Sequence, residues 1–183
     1  MADVQHIQID NTPTTWQPNA IYFVRNTGQI WQTDSNGVAV LMGKDEKHFF
    51  QWKKSNTVLA SSSWTRVTFQ IKDFDDDNLF DGSKFTVRKK GIYHVGGLAT
   101  ISSLSDGKKM IVAIRINNVL KYLLGRGVSG GTDLTGYSGS AMMLLEKDDE
   151  VGMFVYHNNT SDESLYYRVD GYNYFYANLI KEL

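Results

Sequence analysis

Ser138-Gly139-Ser140-Ala141-Met142-Met143-Leu144-Leu145, followed by Asp148-Asp149-Glu150-Val151, carries the clearest strand signature in the chain. An apolar run opened by small residues and closed by an acidic turn is the pattern of a buried strand. Upstream, Phe85-Thr86-Val87-Arg88-Lys89-Lys90-Gly91-Ile92-Tyr93-His94-Val95 reads as a strand, a basic turn and a second strand. Downstream, Phe175-Tyr176-Ala177-Asn178-Leu179-Ile180 reads as one more. In the segment Tyr172–Ile180, Tyr172, Tyr174 and Tyr176 alternate with Asn173, Phe175 and Ala177. Successive strand residues point to opposite faces, so one face is expected to carry all three tyrosines.

From His48 onward the same alternation, broken by Gly, Asn, Asp and Ser about every ten residues, predicts ten strands. They are His48–Lys53, Trp64–Ile71, Lys84–Arg88, Gly91–Ile101, Lys109–Ile116, Val119–Gly125, Tyr137–Leu145, Glu150–Tyr156, Leu165–Val169 and Tyr172–Ile180. No helical periodicity is present, so the chain reads as all-β. Ten strands suit a two-sheet antiparallel jelly-roll sandwich.

Residues 1–43 read as a separate β-rich module. Ala20–Arg25, Ile30–Thr33 and Val38–Leu41 are its strands, joined by turns at Asn26–Gln29 and Asp34–Gly37. Three short strands bury too little surface to be secure alone. The polar stretch Gly43–Lys47 marks the boundary, leaving residues 44–183 as the main domain.

Composition narrows the function classes. A net charge of −1 leaves no global basic field for nucleic acid. No apolar segment approaches the ~20 residues of a membrane-spanning helix, and the first residues lack a signal-peptide pattern. Cysteine is absent, so neither disulfides nor thiolate metal sites are available. Ten tyrosines, nine phenylalanines and four tryptophans exceed what one small sandwich needs inside. Large side chains on both faces of the Tyr172–Ile180 segment imply a second packed surface, which a subunit interface supplies.

The order of these pieces resembles the C1q/TNF-like jelly-roll family over roughly residues 48–183. The resemblance rests on Gly82 before Phe85, on Gly91-Ile92-Tyr93, and on the turn Ile116-Asn117-Asn118. It rests further on Ser138-Gly139-Ser140, on Asp148-Asp149-Glu150-Val151 with Asp148 in place of a glycine, and on Phe175-Tyr176-Ala177-Asn178-Leu179-Ile180 with Ala177 in place of a glycine. It implies a homotrimeric presenting head, with Tyr172, Tyr174, Phe175 and Tyr176 at the trimer interface. Ala20–Arg25 and Thr33–Val40 are similar to small β-modules of phage fibre proteins. Together these resemblances imply a virion fibre or receptor-binding protein. Its N-terminal module would join other virion proteins, and its head would contact a host-surface glycan or protein. A C1q/TNF-like bacterial adhesin or ligand is the alternative.

Candidate chemistry is sparse. In Asp73-Phe74-Asp75-Asp76-Asp77, the alternating carboxylates Asp73, Asp75 and Asp77 could meet on calcium. The glycine and the twelfth-position glutamate of an EF-hand are missing, and a solvated loop is the simpler reading. His6, His48, His94 and His157 form no close metal-spaced pair. Ser138-Gly139-Ser140 stands at a strand opening and is no nucleophile elbow. Asp148, Asp149 and Glu150 are turn carboxylates, so a glycosidase reading is remote. No catalytic residue is assigned. Gly125–Asp133 is glycine-rich without the Gly-Lys-Ser/Thr of a phosphate loop, and reads as a long mobile loop. With it, Arg126, Tyr137, Tyr156, Asn158 and Asn159 form the candidate receptor or glycan surface, because aromatic faces stack on sugars while Arg and Asn bind hydroxyls.

Overall fold

The computed structural model describes residues 5–26, 29–42, 49–75, 78–167 and 171–183. Among them there is no α-helix, and the chain divides into two compact units, Met1–Lys47 and His48–Leu183. The polar stretch Gly43–Lys47 lies outside the described residues, as does the middle of the expected Asn26–Gln29 turn.

The first unit is a four-stranded sheet of β1 (Gln5–Ile9), β2 (Ala20–Val24), β3 (Gln29–Thr33) and β4 (Ala39–Met42), in that order. The sequence reading missed β1, which pairs parallel to β2. Among the described residues apolar burial here is small, so polar links matter. Ala20, Tyr22 and Val24 point inward, and Trp16 packs on Tyr22 at 4.9 Å and on Trp31 at 5.1 Å. The buried Thr33 hydroxyl donates to the Gln17 carbonyl and accepts from the Ala20 amide. Asp34 closes the β3–β4 turn by accepting from the amides of Asn36 and Val38.

The second unit is a sandwich. One sheet has the order β13-β10-β16-β5-β8: β5 (Phe49–Lys53), β8 (Ile71–Asp75), β10 (Gly91–Leu104), β13 (Asp133–Leu145) and β16 (Tyr174–Glu182). The other has the order β12-β11-β14-β7: β7 (Trp64–Arg66), β11 (Lys109–Ile116), β12 (Val119–Val128) and β14 (Glu150–His157), with β9 (Phe85–Thr86) also on β14. A small ladder joins β6 (Val58–Leu59) to β15 (Glu163–Ser164). Every pairing among the described residues of this unit is antiparallel.

Alternation sets the core. Tyr93, Val95, Ala99 and Ile101 of β10 point inward, against Met110, Val112, Ile114 and Ile116 of β11 and Val151, Met153 and Val155 of β14. An aromatic cluster fills one end: Phe50 stacks on Phe80 at 4.9 Å and meets Phe175 at 5.3 Å and Phe85 at 5.2 Å. Such pairs add about 0.5–1.5 kcal/mol each beyond area burial. Tight turns use residues that tolerate positive φ. Asn117 (52°) and Asn118 (63°) turn β11 into β12, and Asp148 (70°) turns β13 into β14.

Several boundaries differ from expectation. Trp64–Ile71 is not one strand but β7 and the start of β8, so the chain crosses from one sheet to the other. Leu165–Val169 supplies only a bridge from Leu165 to Ile101, and 168–169 lie outside the described residues. Gly125–Asp133 is not a long loop: β12 runs to Val128 and β13 begins at Asp133. Ser138-Gly139-Ser140 lies inside β13 rather than at its opening. The small residues are needed because β12 passes close by: a Cβ on Gly139 would sit 2.1 Å from the Leu124 carbonyl oxygen.

Candidate functional site

Both sheets are covered on their inner faces by the same core, so any binding surface is on an outer face or at a loop end. On β13-β10-β16-β5-β8, the residues opposite the core fall into cross-strand rows. One is Met142–His94–Asn178–Phe49, and the next is Ser140–Gly96–Tyr176–Gln51–Phe74. Tyr176 lies across Gly96, where an added Cβ would come within 2.6 Å of the tyrosine oxygen. Its ring meets His94 at 5.4 Å and stacks on Tyr174 at 6.3 Å. Phe49 and Phe74 meet at 5.1 Å. A hollow of about 220 Å³ opens among Phe49, Phe74, His94 and Tyr176. Met142, Leu144 and Ile180 are more than half exposed, and Phe74 is 42% exposed.

The interface residues read from the sequence therefore separate. Tyr174 and Tyr176 do share the outward face. Tyr172 precedes β16 and pairs with Tyr166 at 5.0 Å, while its carbonyl accepts from the Thr100 hydroxyl. Phe175 is a correction: it is fully buried in the core of its own sandwich, because β16 is a central strand and Phe175 and Ala177 face the core.

The outer face of β12-β11-β14-β7 has different chemistry. One row is Arg126–Ile111–Tyr156–Trp64, the next Leu123–Ala113–Phe154–Arg66, and the third Leu120–Arg115–Gly152. The Arg115 guanidinium lies over Phe154 at 4.7 Å and over Trp64 at 5.1 Å. Arg66 lies over the same Phe154 at 5.1 Å and donates to the Asn118 side-chain oxygen at 2.7 Å. Trp64 and Tyr156 are in contact at 5.6 Å.

Of the receptor residues read from the sequence, Arg126 and Tyr156 thus meet in one row of this face. The Asn158 side chain accepts from the Lys109 amide at the end of β11. Tyr137 is a correction: it faces inward, packs against the core and lies over Gly127. Asn159 is another. It is buried, with its amide donating to His157 Nδ1 and its side chain bonded to the Ser103 carbonyl and Glu163. His157 is itself buried against the Leu59 carbonyl. The sequence reading missed Trp64, Arg66 and Arg115. Their signal was present in the alternate positions of Trp64-Thr65-Arg66 and in an arginine within the apolar β11.

Two of the three candidate calcium ligands, Asp73 and Asp75, are already engaged. Asp73 pairs with Lys53 at 2.7 Å and accepts from Gln51, and the bond from Lys53 chiefly holds its carboxyl below the usual range. Asp75 accepts from the amides of Leu79 and Phe80 and from the Trp52 indole. Asp77 lies outside the described residues. Among the described residues no group of three or more His, Cys, Asp or Glu is placed to hold a metal. No described helix is long and apolar enough to cross a membrane.

Comparison with known proteins bears on the fold. No protein-family model and no curated protein matches the sequence. Solved structures do match. The globular domain of zebrafish complement 1qA superposes with a TM-score of 0.57 at 18% identity, over 74% of this chain and 98% of that one. Eiger TNF from S. frugiperda gives 0.54 at 10% identity, over 75% and 94%. Murine APRIL gives 0.53 at 10%, over 73% and 99%. The chain has the C1q/TNF-like jelly-roll fold.

Proposed function

We propose that this chain is a non-enzymatic structural and binding protein of a phage virion, a fibre or receptor-binding protein whose jelly-roll head forms a homotrimer and contacts the host cell surface. The observation that carries the trimer is the outward face of β13-β10-β16-β5-β8. Its Phe74, Met142, Leu144 and Ile180 stand open beside Tyr174 and Tyr176, on a sheet whose other face is already full. Several exposed large apolar side chains gathered on one sheet face mark a protein interface. A face that meets a different face of the next copy is heterologous, and it closes into a ring when the rotation suits. Three copies also multiply a weak receptor contact.

The virion setting is supported by the likeness of the N-terminal strands to phage fibre modules and by the compactness of Met1–Lys47 as a unit of its own. That unit docks the protein onto other virion proteins. Light scattering of the purified chain is expected to give three times the protomer mass. Tyr176→Arg, which places a cation in the outward face, is expected to give folded monomer. Particles carrying that variant are expected to adsorb poorly to host cells. A wild-type chain that is monomeric at micromolar concentration overturns the trimer.

A further inference from the structure

We propose that the outer face of β12-β11-β14-β7 binds an acidic carbohydrate, one whose sugar rings carry carboxylate or sulfate groups, with Arg66 and Arg115 as its anion clamp. This deepens the host-contact reading of the head and rests on it, but not on the trimer.

The charge pattern comes first. The chain as a whole carries −1, yet the three central rows of this face hold Arg126, Arg66 and Arg115 and no carboxylate. Lys109, exposed at the end of β11, extends the cationic strip. The nearest acidic residue along β14, Glu150, is held by Lys84. Among the described residues neither Arg66 nor Arg115 has a carboxylate partner.

Geometry adds a second argument. Both guanidiniums lean on the one Phe154 ring, so they stand within roughly one Debye length of each other, ~10 Å at 0.1 M salt. Two like charges held that close without a counter-charge repel, and an anion between them relieves the repulsion. The Arg115 Nε is buried with no hydrogen-bond partner, a condition that calls for an explanation in a folded protein. Stacking on Trp64 and Phe154 fixes the plane of the Arg115 guanidinium and leaves its remaining edge to recognise an oxyanion in a two-pronged bond. Gly152 is the register partner of Arg115, and a Cβ there would lie 3.3 Å from the Phe154 ring and 3.6 Å from Arg66 Nε, so the backbone of β14 runs directly beneath both arginines' shared ring.

The extent of the face argues for a chain of sugars. From the clamp, the row Trp64–Tyr156–Ile111–Arg126 leads to a shallow hollow of about 230 Å³ lined by Lys109, Arg126, Gly127 and Val128. That is below the ~300–1,000 Å³ of pockets for compact ligands and suits one ring of an extended one. Base stacking, which nucleic acid would need, has little to use: Phe154 is 6% exposed, and Trp64 is covered by Arg115 and Tyr156.

The test is calorimetric titration of the full chain with four probes: a galacturonic acid tetrasaccharide, its methyl ester, a sulfated chondroitin tetrasaccharide and a tetrathymidylate. Binding of a charged saccharide is expected, with none to the ester. Arg66→Gln and Arg126→Gln, both outside the buried core, are expected to weaken it about tenfold and about threefold, with unchanged melting midpoints. Arg115→Gln is expected to weaken it at least as much as Arg66→Gln. The inference falls if neither charged saccharide binds, if the arginine variants bind as tightly as the parent, or if tetrathymidylate binds equally well. If particles with Arg66→Gln adsorb to host cells normally while headless particles do not, the inference falls and the host-contact reading stands.

Discussion

The outward face of β13-β10-β16-β5-β8 is built from Met142, Leu144, His94, Tyr174, Tyr176, Phe49 and Phe74, whereas that of β12-β11-β14-β7 is built from Arg126, Arg66, Arg115, Trp64 and Tyr156. Inward, the two sheets are chemically alike and interlock in one core. Strand alternation has sorted the chain into a common inside and two unlike outsides. Each outside then has its own natural cover. An apolar face gains most from another protein surface, which removes it from water. A cationic face stacked on rings gains most from an anion.

The sharpest break between inside and outside is at neighbouring residues of β16. Phe175→Ala is expected to cost about 3–5 kcal/mol in chemical denaturation, since it empties the aromatic cluster around Phe50 and Phe80. Tyr174→Ala, on the other face, is expected to cost the single chain about 1 kcal/mol or less. Comparable losses would erase the distinction. Next is Gly139→Ala, where the two sheets approach each other between β12 and β13. The added methyl meets the Leu124 carbonyl, and a loss of about 2–3 kcal/mol is expected from the forced backbone shift.

Smaller effects belong to the acidic stretch before Phe85. Asp81 accepts from the amides of Ser83 and Lys84 and from the Ser83 hydroxyl, each at 2.8 Å. Asp81→Ala is expected to cost about 1 kcal/mol by thermal melting. Partial burial works against the Asp81 charge, but the bonds from Lys84 and Ser83 outweigh it, so its carboxyl titrates lower than in the unfolded chain. Asp73 is lowered too, chiefly by Lys53. Both contributions are complete above the unfolded carboxylate range, near pH 4, and drain away as pH falls through the lower folded values. Melting midpoints of the parent are therefore expected to decline below about pH 4, and less steeply in Asp81→Ala. The smallest expected effect is that of calcium: at millimolar concentration it should leave the midpoint unmoved, because Asp73 and Asp75 already have partners.

The sandwich was legible in the sequence because half-buried strands print their alternation directly. Asn117, Asn118 and Asp148 could likewise be read as turn residues, and each has positive φ. What could not be read was the sheet to which a strand belongs. Trp64–Ile71 looks like one run, yet it changes sheets after Arg66, and only the partners β14 and β5 decide that. The same blindness put Phe175 and Tyr137 outside. Their neighbours in sequence are exposed or polar, and only the register with Gly97 and Ala99 of β10 turns them inward. Asn159 looked like a loop residue and is buried by bonds to Ser103 and Glu163, which come from other segments. The arginine clamp needs three strands to exist at all.

β16 lies between β10 and β5, although every strand it touches precedes it in the chain. During synthesis those two partners must wait with a vacant lane between them, their amide and carbonyl edges unsatisfied. Lanes of that kind accept a matching strand from any source, including a sister molecule emerging nearby. Closing one over such sequence separation is also slow. Assembly of this sandwich is thus a race between a chain filling its own gap and a neighbour filling it first, and dilute, slow translation favours the correct winner.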